Sequence, residues 1–169
     1  MTTPKPTGRV AGNDLILTRR FRAPIEDVWT SVTVSEHTAR WFGPWERKPD
    51  SDTAIRIQMA QEQGAPWLNG EIVACDPPRR LELLTTGQYS QKRLEITLAQ
   101  HGDTTEMTFV HHLTDHKMIG EFGPGWEYYL DMLVAAREGG ATPTFEQYYP
   151  AQKPYYLDSA ASSNVPSTS

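Results

Sequence analysis

Gly123-Pro124-Gly125-Trp126-Glu127-Tyr128-Tyr129-Leu130-Asp131-Met132-Leu133-Val134 carries the clearest helical signal in the chain. Trp126, Tyr129, Leu130, Leu133 and Val134 recur at i, i+3, i+4, i+7 and i+8, which makes one apolar helical face. Glu127, Asp131 and Glu138 fall on the other side, where water is the expected environment. The two glycines and the proline are expected to break the chain just before this helix, and no regular helix is expected after it. Almost everything upstream reads as strand, so the helix is predicted to lie across a sheet.

Working back from it, Leu15 to Phe21 alternates, with Leu15, Leu17 and Phe21 on one face and Arg19 as the exception. Pro24 suits a helix start, and Ile25, Val28, Trp29 and Val32 follow at helical spacing. Ser35 is placed to cap a second short helix, Glu36 to Phe42, which Gly43-Pro44 stops. Two such short helices are too small to stand alone and must plug one end of something larger. Strands are then expected at 53–59, 67–75, 80–86, 92–100 and 104–113. Gly64-Ala65-Pro66, Asp76-Pro77-Pro78 and His101-Gly102-Asp103 supply turns, and Gly70 marks a bulge or bend. The class is α+β: a curved antiparallel sheet, two short helices and one long C-terminal helix.

Residues 1–13 are rich in Pro, Gly and Thr and read as a flexible N-terminus, ahead of a single domain over 14–138. Residues 139–158 contain Phe145, Tyr148, Tyr149, Tyr155 and Tyr156, too aromatic for a plain linker. They are expected to pack on the body or on a partner. Residues 159–169 read as disordered. The 169 residues carry a net charge of −5 with scattered basic residues, which argues against a nucleic-acid partner. Cys75 is the only cysteine, so neither an internal disulfide nor a thiolate metal cluster is available. The N-terminus lacks the apolar core of a signal peptide, and no apolar run reaches membrane-spanning length, so a cytoplasmic protein with no membrane partner is expected.

Several stretches together resemble a known family. They are Thr18-Arg19-Arg20-Phe21-Arg22-Ala23-Pro24 followed by Val28-Trp29; Trp41-Phe42-Gly43-Pro44; Gly70-Glu71-Ile72-Val73 with Pro77-Pro78-Arg79-Arg80-Leu81; Leu94 to Leu98 with Thr104 to His112; and Gly125-Trp126 with Leu130 and Leu133. In this order they resemble the START-like, or SRPBCC, superfamily. Within it they resemble the group named after the ATPase activator of the ninety-kilodalton heat-shock chaperone, with its bacterial polyketide-cyclase-like relatives. One departure is that Ser51 to Arg56 lacks the glycine pair common before the family's third strand. The resemblance implies a helix-grip fold with a cavity, between sheet and long helix, that takes apolar or aromatic small molecules. It does not imply one activity, since relatives include carriers, cyclases, hydrolases and co-chaperone domains.

The candidate ligand-binding residues are Arg56, Trp67, Phe109, His111, Trp126, Tyr129, Leu130 and Leu133. His111 and His112 are neighbours on a strand and point to opposite faces, so they cannot share a metal, and no metal or cofactor is expected. In register with Phe109, His111 points inward. It becomes the general base if the protein is an enzyme, because its pKa normally lies near neutrality. Arg19 and Arg56 are either strand-end charges or forked anchors for a ligand anion. Glu82 and Glu95 alternate with leucines and isoleucine and are expected to face water. Trp29 reads as core, whereas Trp126 and Tyr129 read equally as core or as ligand contacts. Three functions follow: non-catalytic binding of a small apolar or aromatic molecule; a cyclase, dehydratase or hydrolase using the same cavity; or a co-chaperone-like module, homodimeric or joined to another protein through the aromatic tail.

Overall fold

The computed structural model describes residues 4–87 and 91–163. Its frame is one eight-stranded antiparallel sheet in the order β1-β2-β8-β7-β6-β5-β4-β3. The strands are β1 Arg9–Ala11, β2 Asp14–Phe21, β3 Trp45–Arg47, β4 Ala54–Gln58, β5 Trp67–Asp76, β6 Arg80–Thr86, β7 Gln91–His101 and β8 Thr104–His112. From β3 to β8 it is a simple meander. The non-local step is β2 against β8, with Leu15 opposite His111 and Leu17 opposite Phe109. The segment joining β2 to β3 must therefore travel from one side of the sheet to the other. It does so through α1 Ile25–Thr33 and α2 Ser35–Thr38, which span the open side of the curled sheet. The Gln100 side chain, from the β7–β8 hairpin, accepts the Ile25 N–H at 3.0 Å and so caps the start of α1.

The long helix α3 runs Ile119–Glu138 and is longer than its sequence suggests. The Gly-Pro-Gly triplet lies inside it. Pro124 is the sixth helical residue, so only one internal hydrogen bond is lost, and the proline itself is buried in packing. Gly123 is needed for another reason: a Cβ there would sit 2.3 Å from the Tyr156 ring. Tyr156 belongs to a further helix, α4 Lys153–Ser163, so α3 is not the last regular helix.

That packing overturns the expectation for Glu127, which is only 1% exposed instead of facing water. Arg19 stays in register on the inner face of β2. Its Nη2 meets Glu127 Oε1 at 2.8 Å, and its Nε meets Asp131 Oδ1 at 3.0 Å. Arg19 is therefore neither a frayed strand end nor a ligand anchor; it fastens α3 to the sheet. The Thr7 hydroxyl donates to Glu127 at 2.6 Å and the Tyr156 hydroxyl at 2.7 Å, and the Gly8 N–H lies 3.3 Å away. Burial works against ionisation of Glu127, but the bonds from Thr7, Tyr156 and Arg19 prevail and hold its pKa below the usual value.

The described segments before β2 and after α3 thus join the body. Within residues 1–13, Arg9–Ala11 forms β1 against β2 instead of a flexible leader. The tail turns through Phe145–Gln147 into α4, with Tyr148 and Tyr156 fully buried against α3. Residues 159–163 are helical, with Ala160 buried, where disorder was expected. Residues 1–3 and 164–169 of those expectations lie outside the described residues. The second short helix ends at Thr38 because the Thr38 hydroxyl binds back to Gly43 O at 2.8 Å, closing the turn. Ser35 accepts the Trp45 N–H at 2.9 Å instead of capping the helix. No described helix is long and apolar enough to cross a membrane.

Arg19→Met should leave the Glu127 carboxylate buried without its cation and cost about 3–5 kcal/mol in urea unfolding. The double change Arg19→Met with Glu127→Leu should recover much of that loss, because the cost lies in the stranded charge.

Candidate functional site

The concave face of the sheet and the helices enclose a cavity of about 180 Å³. The floor is built by strand alternation. Ile55 and Ile57 of β4, Ile72 of β5, Leu81 and Leu83 of β6, Leu94 and Ile96 of β7 and Phe109 of β8 all line it. Their neighbours Arg56, Glu82 and Glu95 point to the convex side. A bulge between Ile72 and Ala74 resets the alternation of β5. It turns Cys75, paired with Leu81, toward the cavity, while Val73 bulges out to solvent. The bulge lies at Val73 and not at Gly70, whose missing Cβ instead leaves room for Ile55.

The roof comes chiefly from the α1–α2 segment. Trp29, Val32, Thr38, Trp41, Phe42 and Trp45 all contribute, and Trp126 is the one lining residue from α3. The cavity was expected between sheet and long helix, with the short helices plugging one end; the short-helix segment instead supplies most of its roof. Two indole hydrogen bonds set the roof: Trp41 Nε1 donates to Ser31 O at 2.9 Å and Trp45 Nε1 to Thr33 O at 2.7 Å. Gly43 presses against β4, where a Cβ would fall 1.7 Å from Gln58 O, so no other residue fits. Arg47 and the exposed Cys75 also line the cavity, which therefore reaches the surface between them.

The sequence candidates divide into three groups. Phe109 and Trp126 line the cavity in direct contact, ring centroids 4.4 Å apart. His111 and Tyr129 lie one layer behind Trp126. Tyr129 packs on Phe42 at 4.8 Å and on Trp126 at 5.7 Å, and its pKa is raised by burial and by nearby Glu62. Leu130 and Leu133 are fully buried core residues and do not line the cavity. Arg56 and Trp67 are on the wrong face. Ile55 and Ile57 take the inner positions, so Arg56 turns outward, where its Nε meets Glu46 at 3.0 Å and its guanidinium lies 4.5 Å over the Trp67 ring. Trp67 is 42% exposed. Strand alternation already excluded Arg56 from the cavity, and Trp67 pairs with outward-facing Gln58.

His111 is inward and buried. Its Nδ1 accepts the Trp126 Nε1–H at 3.2 Å, which leaves the proton of the neutral ring on Nε2. Burial, with help from Lys92 and His112, lowers its pKa to about 4. The ring is therefore neutral at ordinary pH and presents a donor. Lys92, on the same face of the sheet, lies 5.0 Å over the Phe122 ring, and burial lowers its pKa against the pull of Glu62.

On the convex face, one atom each from Glu82, Glu95 and His112 lie within 4.8 Å of one another, a spacing that a metal could use. These groups already satisfy one another and their cationic neighbours. His112 bridges Asp14 at 2.7 Å and Glu95 at 3.0 Å, Arg80 Nε holds Glu95 at 2.6 Å, and Arg93 Nε holds Glu82 at 2.9 Å. Glu82 does face outward, but these arginines cover it, so it is buried where exposure was expected.

A helix-grip α+β domain with an apolar cavity under two short helices defines the class. The chain belongs to the AHSA1 family, described as activator of Hsp90 ATPase homolog 1-like protein, whose model matches residues 22–138. No curated protein matches it. Among solved structures, it is similar to CalU16 from Micromonospora echinospora, at 26% identity over 87% of this chain and 88% of that one, with a TM-score of 0.72. A protein from Bordetella parapertussis, the product of gene BPP1335, shares 21% identity over 94% of this chain and 91% of that one, with a TM-score of 0.72. DynU16, a protein of the dynemicin biosynthetic locus, shares 18% identity over 82% of this chain and 50% of its own, with a TM-score of 0.66.

The convex network predicts a pH signature. Burial alone would lower the His112 pKa, but bonds to Glu95 and Asp14 raise it. Its contribution to stability is therefore complete below about pH 6.5, the unfolded value, and is lost as pH rises through the folded value. Chemical denaturation of His112→Gln between pH 5 and 9 should show a flatter profile than the parent. Equal slopes would exclude His112 as the source.

Proposed function

We propose that this protein binds one small, flat, apolar or aromatic molecule in the cavity between the sheet and the α1–α2 roof. The observation that carries the reading is the lining: aliphatic side chains from four strands and Phe109 of β8 below, and four tryptophans, Trp29, Trp41, Trp45 and Trp126, above and behind. Aromatic walls of this kind favour a planar guest. At about 180 Å³ the space is slightly larger than the roughly 150 Å³ cavity that accepts benzene, and smaller than the ~300–1,000 Å³ of drug-sized sites. A guest of one or two rings fits without rearrangement. Burying roughly 200 Å² of apolar guest surface contributes about 5 kcal/mol before ordering costs. Thr33, Thr38 and Thr85 supply the lining hydroxyls.

The catalytic reading through His111 has less support. A general base needs a free lone pair and a pKa near the working pH. In His111 the Nδ1 lone pair is engaged by Trp126 and the pKa is depressed to about 4. The residue is better suited to holding Trp126 in place. The likeness to DynU16 shows a shared fold at 18% identity, so the ligand class rests on the cavity and not on that neighbour. A cytoplasmic setting belongs to the same reading.

Naphthalene and 2-naphthol are suitable probes, followed by calorimetry and by quenching of tryptophan fluorescence. One guest per chain is expected, with a raised Tm. Leu83→Trp, which fills the cavity from β6, should weaken binding at least tenfold while leaving the fold intact by circular dichroism. Trp126→Ala should change both stability and affinity. No saturable binding to the parent protein, or affinity unmoved by Leu83→Trp, would refute the cavity as the site.

A further inference from the structure

A second cavity, of about 170 Å³, lies on the other side of Trp41 and has the opposite chemistry. It opens between α1, the turn after α2 and the C-terminal part of α3. Ser31 enters it from α1. His37, Arg40 and Trp41 enter from one face of the α2 turn, at spacing i, i+3 and i+4. Leu133 and Arg137 enter from α3, four residues apart. Two arginines and a histidine therefore converge on one cavity, and no acidic side chain among the described residues lines it.

The two arginines differ in their engagement. Arg137 Nη1 donates to Ser31 Oγ at 2.6 Å and to Asp27 O at 3.1 Å, so α1 fixes the position of this guanidinium. From Asp27 it receives a backbone carbonyl and not the carboxylate, so its charge is not neutralised there. Its guanidinium lies 5.8 Å over the Phe21 ring, and no described hydrogen bond engages its Nη2 or Nε. The Arg40 side chain, which borders the cavity, forms no hydrogen bond or ion pair with any described residue. A protein of net charge −5 that gathers two arginines without a carboxylate between them has left two positive charges to be balanced from outside. Guanidinium forks match the paired oxygens of a carboxylate or phosphate, with His37 as a third donor. Trp41 and Leu133 form an apolar wall, so the space holds more than a bare ion.

We propose that this cleft is a binding site for a small organic oxyanion, a phosphate or carboxylate group carried on a short apolar body. The acidic group is held between Arg40 and Arg137, and the body lies against Trp41 and Leu133. This site is separate from the apolar cavity. Trp41 is the wall between them, and its indole N–H, bonded to Ser31 O at 2.9 Å, reports on both sides.

The test is titration of the ¹⁵N-labelled full chain with phenyl phosphate, benzoate and inorganic phosphate at constant ionic strength, following the Trp41 indole N–H. Saturable shifts with at least one oxyanion are expected. The strongest of the three identifies the source as phosphoester, carboxylate or free phosphate. Arg40→Gln should weaken that binding about tenfold, Arg40→Lys should retain part of it, and Leu83→Trp should leave it unchanged. Arg40 is exposed, so its loss should not disturb folding. No saturable shift with any oxyanion, an equal response in Arg40→Gln, or the same response to sodium chloride would overturn the proposal.

Discussion

The buried carboxylate of Glu127 is the constraint on which the arrangement of this protein depends. A carboxylate placed away from water is costly unless its oxygens are satisfied. Here the partners come from three parts of the chain: Arg19 of β2, Thr7 and Gly8 ahead of β1, and Tyr156 of α4. Thr7, Gly8 and Arg19 lie more than a hundred residues before Glu127, and Tyr156 lies 29 residues after it. The charge can be stable only when the N-terminal segment, the sheet, α3 and the tail are all in place. A buried ion pair contributes less net stability than its geometry suggests, because desolvation offsets much of the attraction. It contributes specificity by penalising every arrangement in which one partner is missing.

That constraint also determines which side of the cavity is firm. α3 is fastened to the sheet from its outer side, through Arg19, Glu127 and Asp131, and is braced by Tyr156 in the Gly123 notch. Trp126, on the inner side of the same helix, therefore starts from a fixed backbone. His111 then fixes its ring by accepting the indole N–H. The roof is held differently. Trp41 and Trp45 are anchored through single indole hydrogen bonds to carbonyls of α1, a helix of nine residues. Apolar guests meet a rigid floor and back wall and a roof set by fewer contacts.

Much of this was legible in the sequence because burial on one face of a strand imposes a period of two. Ile55 and Ile57, Leu81 and Leu83, and Leu94 and Ile96 declared the inner face of each strand, and the apolar stripe from Trp126 to Val134 declared the inner face of α3. The same rule should have removed Arg56 and Trp67 from the candidate site, since the inner positions of their strands were already taken. Glu127 was not legible. Its position on the helix wheel is polar, and nothing local signals that a segment more than a hundred residues earlier and another about thirty residues later will cover it. The tail showed its need for packing through Tyr148, Tyr155 and Tyr156, but the socket for Tyr156 is the absence of a side chain at Gly123. A glycine read from sequence as a helix breaker proved to be a contact surface.

The roof illustrates the same limit from another direction. Trp29, Trp41, Phe42 and Trp45 are dense enough in aromatic rings to look like ordinary core, and Trp41 is indeed buried. What separates core from cavity wall is the material opposite them, and that is set by the curl of the sheet, which depends on β2 reaching β8. In the meander alone, β8 would be an open edge and the α1–α2 segment would have no second side to cross to. The β2–β8 pairing makes the sheet wide enough to curl, obliges the β2–β3 connection to span its mouth, and places the Trp41–Trp45 turn over aliphatic side chains that it does not fully contact. The cavity is thus a consequence of topology: a wide, twisted sheet and two short helices leave more space than four indoles and a phenyl ring can fill.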